Sequence, residues 1–297
     1  MGKKDSPEIS ICMVSLNCWR VLGPCMESLS KCTPCVSYEI TIVDNASSDD
    51  TVPQVKALYP DIRIIENQSN VGFTKATNQG ITASTGRYML WLNTDTILRP
   101  DSLYEMWSFL ELHPDAGIVG PKVLNKDGSF QPQCRRGAPT LIGALAYFTK
   151  LYRLFPKNRA LGQYLLSYLP VNKECEVVAV SGCCLLAKRE VFASIGPLDE
   201  EIFGFGEDVD WCYRARNAGW KVWYLPKCEI IHFKGQGGVH SAPLAKVWGI
   251  HQAMWVFYRK HLRTEHGSVV TGIVWLGIWA KFLAAAAVCF FQRCLKE

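Results

Sequence analysis

Several features typical of other protein classes are missing from this chain of 297 residues. Charged residues make up only 20% of it and the net charge is +5. The basic residues do not alternate with aromatic residues as they do in a nucleic-acid groove, so we predict no nucleic-acid partner. There is no internal repeat and no low-complexity tract. The length is enough for one large domain or two small ones, and the hydrophobic content of 48% predicts that most of the chain folds around a core.

The first ten residues contain no apolar segment, so we predict no signal peptide. The 13 cysteines are then expected to be reduced thiols in a cytosolic environment. Cys32 and Cys35 have CxxC spacing, but a zinc site needs a second, well-spaced pair of ligands. Cys183 and Cys184 are adjacent, which is too close for such a pair. We therefore interpret most cysteines as small buried hydrophobic residues.

Short β-rich runs alternate with helical patterns in the first part of the chain. This alternation predicts an α/β fold, with a Rossmann-like, mostly parallel sheet flanked by helices. Ligands of such sheets bind beyond the carboxyl ends of the strands. Polar residues recur at those ends, namely Ser15, Asn17, Asp44, Asn45, Asn67, Asn70, Asn93 and Asp95. The predicted strands are 9–16, 39–43, 62–66 and 87–92, and the predicted helices are 21–31, 50–58, 73–84 and 101–112, the last capped by Asp101.

The second half has a different pattern. Residues 140–169 are rich in Leu, Tyr, Phe, Lys and Arg without strand alternation, which predicts one or two amphipathic helices over the site. Further predicted elements are a strand at 176–187, a helix at 208–218, two short strands at 221–224 and 229–233, a glycine-rich turn at 235–238 and a helix at 244–262.

Residues 269–291 are nearly all apolar apart from Lys281. As one helix they would be roughly 35 Å long, against a hydrocarbon core of about 30 Å. Lys281 near the middle would cost about 3 kcal/mol on an insertion scale. We therefore predict a helix pair or a kinked helix lying in the membrane interface. A true membrane span and a soluble helix that forms a dimer remain alternatives.

Three carboxylates, Glu207, Asp208 and Asp210, lie within four positions at the start of a predicted helix. The helix dipole favours acids there, and Asp210 is spaced for an ion pair with Arg214. These effects account for Asp210 better than for the adjacent pair Glu207 and Asp208. Asp95 follows a buried strand directly, where a carboxylate can bind a divalent cation or simply cap a turn. His232 is either structural or a partner of Asp95 at such a cation.

Six segments, in order along the chain, resemble the inverting family 2 glycosyltransferases. They are "VSLN" (14–17), "EITIVDNASSDDT" (39–51), "NVGFTKATNQG" (70–80), "GRYMLWLNTD" (86–95), "SGCCLLAKREVFASIGPLDEEIFGFGEDVDWCYRARNAGW" (181–220) and "IIH" (230–232). Within that family they are similar to the rhamnosyltransferase-type branch that builds O-antigen and other bacterial surface polysaccharides. The resemblance implies a GT-A fold, a nucleotide-sugar donor and Mg²⁺ or Mn²⁺. It also implies a catalytic domain at 1–240, divided into a nucleotide-binding half (1–115) and an acceptor half (116–240). The apolar run at 269–291 lies outside the resemblance, and we predict from it that 241–297 is a helical segment that associates with the membrane or oligomerises.

The resemblance also assigns roles to single residues. Asp208 matches the general base and Glu207 its neighbour, while Asp95 and His232 match the metal site. Arg135 and Arg136 fall where this branch carries basic residues, and diphosphate contact, acceptor contact and solvated charge are open for them. The residues that match donor-binding positions are Val14, Ser15, Asn17, Asp44, Asn45, Asn70, Gly72, Lys75, Asn78, Asn93 and Thr94, with Arg135 and Arg136 as further candidates.

The implied function is transfer of a sugar, with dTDP-rhamnose as the favoured donor, onto a saccharide linked to polyprenyl diphosphate. The expected location is the cytoplasmic face of the inner membrane, with peripheral or monotopic attachment through the C-terminal helices and a possible homodimer. The alternatives are a transferase that uses a UDP-hexose, a non-catalytic membrane scaffold that binds nucleotide sugars, and a nucleotidyltransferase. The later acidic pair and His232 fit a nucleotidyltransferase poorly.

Overall fold

The computed structural model describes residues 6–32, 36–235 and 243–294. Its centre is a mixed sheet of nine strands, and a two-stranded ribbon lies beside it. The strands, in chain order, are β1 (Ile9–Ser15), β2 (Tyr38–Asp44), β3 (Arg63–Glu66), β4 (Tyr88–Leu92), β5 (Thr96–Leu98), β6 (Ala116–Leu124), β7 (Arg135–Arg136), β8 (Cys175–Val177), β9 (Ala179–Val180), β10 (Cys184–Lys188) and β11 (Lys221–His232).

The large sheet has the order β3-β2-β1-β4-β10-β6-β11-β5, and β8 also pairs with β11. Strands β1, β2, β3, β4, β6 and β11 point in one direction, while β10 runs antiparallel between β4 and β6. The predicted mostly parallel α/β sheet is therefore confirmed. Strand β4, with the sequence YMLWL, is buried at every position, as expected for a strand that is covered on both faces.

Helices lie between the strands along the chain, and two more follow the last strand. They are α1 (Trp19–Ser30), α2 (Thr51–Leu58), α3 (Phe73–Thr82), α4 (Ser102–Leu112), α5 (Leu141–Phe148), α6 (Leu151–Leu154), α7 (Arg159–Gly162), α8 (Arg189–Ile195), α9 (Glu207–Asn217), α10 (Pro243–Phe257) and α11 (Ser268–Cys294). A π-helical turn, Tyr258–Leu262, follows α10. The four strands and four helices predicted for the first half are all present, within two residues of their predicted ends.

Several predicted elements differ from the structure. The predicted strand at 176–187 is divided among β8, β9 and β10, and the two strands predicted at 221–224 and 229–233 form one strand, β11. A register shift between Leu225 and Glu229 accommodates Pro226, which cannot donate to the ladder. Asp101 precedes α4 as predicted, but its side chain makes no capping hydrogen bond. Strands β5, β6 and β7 and helix α8 were not predicted.

The C-terminal apolar segment is one helix, α11, so the predicted helix pair is wrong. Residues Ser268–Phe291 are long and apolar enough to cross a membrane by length and composition. Along one side, α11 packs on α10, with the rings of Trp279 and Trp248 5.1 Å apart and those of Phe282 and Trp248 5.5 Å apart. Only 6% of its most apolar window is buried.

The described cysteines are free thiols and most are buried, which agrees with their interpretation as small hydrophobic residues. Cys35, the second residue of the CxxC pair, lies outside the described residues, as do residues 236–238 of the predicted glycine-rich turn.

Candidate active site

The carboxyl ends of β1 and β2 hold one carboxylate in a closed hydrogen-bond network. Ser15 Oγ donates to Asp44 Oδ1 at 2.7 Å. Ser47 donates to the same carboxylate from its backbone N–H at 2.8 Å and from Oγ at 2.5 Å. Asp44 is buried. Its orientation is therefore fixed by the fold before any ligand binds.

Asn17 shapes the loop that follows β2. Its backbone is left-handed, with a φ of +47°, a conformation that Asn tolerates better than most residues. Its Oδ1 accepts hydrogen bonds from the backbone N–H groups of Ser48 at 2.7 Å and Asp49 at 3.2 Å. Asn17 thus supports the loop beside Asp44. Val14, the other predicted residue of this segment, is half-buried within β1.

A cleft of about 540 Å³ opens beside this network. That volume lies in the range of small-molecule sites, and its position beyond the strand ends is where an α/β sheet binds its ligand. Asp44, one of the residues predicted to bind the donor, is on its wall. The lining includes Asp44, Ser47, Asp49, Lys56, Glu66 and Asn67.

A chain of side-chain amides joins β2 to the segment before α3. Asn67 Nδ2 donates to Asn45 Oδ1 and to Gln79 Oε1, both at 2.9 Å. Asn45 Nδ2 donates to the carbonyl oxygen of Gly72 at 3.3 Å, and Asn70 Oδ1 accepts from the N–H of Gly72 at 2.9 Å. Asn45 and Asn70 therefore hold the two predicted donor-binding segments together, and their direct contact with a donor stays a prediction.

The loop that leads to the acidic pair packs on the start of α3. Gly72 has a φ of +91°, and a Cβ there would lie 2.7 Å from the ring of Phe203, so this contact requires glycine. Asn78 Nδ2 donates to the carbonyl oxygen of Leu198 at 3.0 Å, and its Oδ1 accepts from the same residue's N–H at 3.0 Å. The amide of Asn78 thus holds this loop, which favours a structural role over donor binding. Lys75, on the same helix, is exposed.

Asn93, Asp95 and His232 meet beyond the ends of β4 and β11. His232 Nε2 lies 3.1 Å from Asp95 Oδ1 and 3.5 Å from Asn93 Nδ2. Asn93 Oδ1 is a buried oxygen with no hydrogen-bond partner in the described part of the chain. Thr94, which lies between Asn93 and Asp95 in the sequence, is buried. The two residues predicted to form the metal site are therefore adjacent in space.

These side chains fit a single divalent cation. They offer a carboxylate from Asp95, the unpaired amide oxygen of Asn93 and the imidazole of His232, which are ligand types that bind such ions. Within the described ranges, no three His, Cys, Asp or Glu side chains are grouped so that they could hold a metal. A cation here would therefore need further ligands from water or from a bound diphosphate.

Gln131, which we did not single out in the sequence, positions His232. Its Nε2 donates to the carbonyl oxygen of His232 at 2.8 Å, and its Oε1 lies 3.3 Å from Nδ1 of the same residue. Burial alone would lower the pKa of His232, but the neighbouring Cys183 and the hydrogen bond with Asp95 outweigh it and raise the pKa to about 10. This raised pKa favours the protonated form of His232 beside Asp95, and a metal ion that binds the ring would have to displace its proton.

Asp208, in the first turn of α9, is held from three sides. Arg136 Nη2 donates to its Oδ2 at 2.5 Å, and the backbone N–H of Gly182 donates to the same oxygen at 2.8 Å. The N–H of Val209 donates to Oδ1 at 2.7 Å. The two charged side chains are only 11% and 9% exposed. Asp208 also lies at the start of α9, where the helix dipole favours acidic side chains.

Two consecutive residues connect Asp208 to the cluster of Asn93, Asp95 and His232, called here the Asp95 group. Gly182 donates its N–H to Asp208, and Cys183 accepts at its carbonyl oxygen from the N–H of Asn93 at 2.9 Å. The predicted base and the predicted metal site therefore lie on the two sides of one short loop before β10.

Glu207 is in a different electrostatic state from its neighbour. It is 7% exposed, and its Oε2 accepts from the N–H of Gly206 at 2.9 Å. Burial, together with the negative charge of Asp208, raises the pKa of Glu207 to about 7. Glu207 is thus poised to change its charge near neutral pH, while Asp208 is paired with an arginine.

The two predicted basic residues, Arg135 and Arg136, face opposite ways because they are neighbours in the short strand β7. Arg136 reaches Asp208. Arg135 is 1% exposed, and its guanidinium donates to the backbone carbonyls of Leu169 at 2.7 Å and Pro170 at 2.8 Å. This burial and these contacts favour a structural role for Arg135, and its contact with a donor stays a prediction.

Asp210 has a structural role. Its Oδ2 accepts from Arg214 Nε at 2.8 Å, which confirms the predicted ion pair, and its Oδ1 accepts from His261 Nε2 at 2.6 Å. Burial alone would raise the pKa of Asp210, but the hydrogen bond from His261 and the charge of Arg214 lower it overall. Asp210 joins α9 to the π-helical turn, a contact between distant segments for which the sequence contains no local signal.

Comparison with known proteins adds independent findings. The family model described as "Glycosyl transferase family 2" matches residues 10–196. The N-acetylglucosaminyl-diphospho-decaprenol L-rhamnosyltransferase of Mycobacterium tuberculosis (strain CDC 1551 / Oshkosh) is 28% identical over 230 residues, which cover 73% of this chain and 73% of that protein.

Two solved structures are similar in fold. One is the crystal structure of GalNAc-T7 with UDP, GalNAc and Mn²⁺, with a TM-score of 0.58 and 17% identity over 86% of this chain and 48% of that chain. The other is the crystal structure of S. aureus TarS 1-349, with a TM-score of 0.56 and 14% identity over 94% of this chain and 80% of that chain. Identities this low show the fold alone, and they confirm the predicted GT-A fold.

Proposed function

The chain belongs to glycosyl transferase family 2, and from that premise we propose that it is an inverting glycosyltransferase in which Asp208 is the general base. The observation that carries this proposal is the loop at Gly182 and Cys183, which joins Asp208 on one side to Asn93 and the Asp95 group on the other. Inverting transfer needs a base on one face of the sugar and a diphosphate site on the opposite face, and this loop separates two such groups.

In the proposed reaction, the carboxylate of Asp208 takes the proton of an acceptor hydroxyl. The hydroxyl oxygen forms a bond to the anomeric carbon of the donor sugar from the side facing α9. The bond from that carbon to the diphosphate oxygen breaks, and its electron pair leaves with the nucleoside diphosphate. The configuration at the anomeric carbon is thereby inverted.

Asp95, Asn93 and His232 would hold a Mg²⁺ or Mn²⁺ ion at the diphosphate. Such an ion, when bound, supplies positive charge that stabilises the leaving group. The protein adds rigidity here, because Gln131 fixes His232 at both its backbone and its ring. The nucleoside part of the donor would occupy the cleft beside Asp44, whose orientation is fixed by Ser15 and Ser47.

We propose dTDP-rhamnose as the donor and a polyprenyl-diphosphate-linked saccharide as the acceptor. Support comes from the M. tuberculosis relative, whose name specifies L-rhamnosyl transfer to N-acetylglucosaminyl-diphospho-decaprenol. A lipid-linked acceptor also gives a reason for the exposed apolar helix α11 beside the catalytic domain. The proposed location is the cytoplasmic face of the inner membrane, with α11 as the attachment.

Hydrolysis and transfer assays with a panel of nucleotide sugars test this proposal. The purified protein should hydrolyse dTDP-rhamnose slowly in the presence of Mn²⁺ and transfer rhamnose to polyprenyl-diphospho-N-acetylglucosamine. The Asp208→Asn variant is the control for a contaminating enzyme and should lose transfer. Preference for a UDP-hexose would overturn the donor assignment, and binding without any turnover would favour the non-catalytic scaffold.

A further inference from the structure

The segment that contains α5, α6 and α7 has an unusual charge distribution. Between Asp127 and Glu174 the sequence contains no acidic residue. Four basic residues lie in the part from α5 to α7, namely Lys150, Arg153, Lys157 and Arg159, and all four are exposed. A surface with positive charge and no negative charge is complementary to an anionic surface.

The same segment exposes large apolar side chains. Ile142 and Leu145, one turn apart on α5, are 60% and 61% exposed, and Leu154 and Phe155 are 73% and 55% exposed. Soluble monomers rarely leave such side chains grouped in water. Apolar side chains beside lysines and arginines are typical of elements that lie in a membrane interface.

This surface is continuous with the C-terminal helix. The ammonium group of Lys281, near the middle of α11, lies 3.7 Å from the centre of the Phe148 ring at the end of α5. Helix α11 itself carries exposed apolar residues along its length, among them Val269, Ile273, Leu276, Leu283 and Phe290. The two apolar, acid-free elements therefore touch each other at this contact.

We propose that α5–α7, residues 141–162, form a second membrane-binding element that docks on an anionic lipid bilayer together with α11. This element would also place the bilayer next to the active site. After α7 the chain reaches Tyr164, whose carbonyl oxygen accepts a hydrogen bond from the N–H of Gly137 at 2.9 Å. Gly137 follows Arg136, the residue that pairs with Asp208. The inference rests on the proposed membrane attachment of α11, but it does not depend on which sugar is transferred.

Binding of the full chain to vesicles tests the inference. The test variant is Leu154→Glu combined with Phe155→Glu. The matched control is Leu58→Glu combined with Leu112→Glu, at residues that are 58% and 76% exposed at the ends of α2 and α4. Partitioning is measured on phosphatidylcholine vesicles with and without phosphatidylglycerol, and amide hydrogen exchange of residues 141–162 is followed on the same vesicles.

We expect the wild-type chain and the control to prefer the vesicles that contain phosphatidylglycerol. The test variant should partition at least about tenfold more weakly, because two apolar contacts are replaced by negative charge. If α11 alone keeps the test variant on the vesicles, we expect a difference in hydrogen exchange instead. The amides of residues 141–162 should then be less protected in the test variant than in the control. A circular dichroism spectrum and a melting temperature like those of the control would show that it is folded.

Two results would overturn the inference. One is equal partitioning and equal protection of residues 141–162 in the test variant and the control. The other is protection of this segment that rises with protein concentration when no vesicles are present, which would show that a second copy of the chain covers it. Donor hydrolysis in solution is measured in parallel. Its absence from the wild type would contradict the proposed function without affecting the vesicle result.

Discussion

Arg136 and Asp208 form a buried ion pair at the start of α9, with 2.5 Å between Nη2 and Oδ2. The same carboxylate oxygen also accepts from the backbone of Gly182, whereas Oδ1 accepts, among the residues that the structure describes, only from the adjacent N–H of Val209. Each carboxylate oxygen has two lone pairs. An acceptor hydroxyl therefore has better access to Oδ1, and Arg136 acts as the group that holds and orients the base.

The three carboxylates of α9 should differ sharply when each is replaced by its amide. Asp208→Asn should lower the transfer rate by about 10²–10⁴, because the amide cannot accept a proton. Glu207→Gln should cost less. Asp210→Asn should act mainly on stability, because Asp210 pairs with Arg214 and His261. Single-turnover transfer rates at saturating donor measure the ordering.

Donor affinity is the control in this series, and it should stay within a few-fold for Asp208→Asn. Helix-dipole effects alone are worth only about 0.3–1 kcal/mol and would be similar for neighbouring residues. Equal small losses at all three positions would mean that the acidic cluster only starts a helix, and that the base lies elsewhere.

The neighbours Arg135 and Arg136 provide a matched pair of variants. Arg136→Gln should reduce the transfer rate with little change in donor binding, because it releases Asp208 from its oriented position. Arg135→Gln should lower the free energy of unfolding by about 2–4 kcal/mol, because it removes two charge-assisted hydrogen bonds to Leu169 and Pro170. Its transfer rate per folded molecule should be unchanged. Denaturant titration and single-turnover rates separate the two effects, and the reverse result would refute both assignments.

The first half of the fold could be predicted from the sequence because its strands and helices have clear apolar patterns with polar ends. Strand β6 could not, because Gly117, Gly120 and Pro121 interrupt it. Gly120 is needed there because a Cβ would lie 2.5 Å from Val180, a contact across distant segments. The roles of Gln131 and His261 depend on similar long-range contacts. The opposite orientations of Arg135 and Arg136 became visible only once β7 had been assigned.

Asp95→Ala should abolish transfer and metal-dependent donor binding while the fold is retained. Asp95 supplies the carboxylate of the predicted cation site and lies 3.1 Å from His232. Calorimetry with nucleoside diphosphate, with and without Mn²⁺, measures the effect. Asp101→Ala is a suitable control, because that residue precedes α4 away from the strand ends. If the Asp95→Ala variant kept its metal-dependent affinity, the site would have to be sought elsewhere.

Deletion of residues 268–297 should yield a protein that hydrolyses donor slowly in solution but works poorly on a lipid-linked acceptor. The deletion removes α11 and leaves the strands and the candidate active site unchanged in sequence. Because it also uncovers Trp248 on α10, Trp248→Gln in the same background should keep the product monodisperse. Sedimentation of the full-length protein with membranes is the companion measurement. A full-length protein that stays wholly in the supernatant without detergent would identify α11 as an oligomerisation element.

The raised pKa of Glu207 predicts a pH dependence of stability. The pKa of this group is 4.5 in its reference state and about 7 in the folded chain, chiefly because of burial. Between these values the unfolded chain has released the proton while the folded chain still binds it, so the contribution of Glu207 to stability falls as pH rises from about 4.5 to about 7 and then levels off. Glu207→Gln removes this titration.

The variant should therefore gain roughly 2–3 kcal/mol in free energy of unfolding relative to the wild type between pH 5 and pH 8. The lowered pKa of Asp210 has the opposite sign and acts at lower pH, where stability is lost as pH falls, so it does not obscure this window. Denaturant titrations of both proteins across this range measure the difference. A difference that stayed constant with pH would show that Glu207 is already ionised in the folded chain.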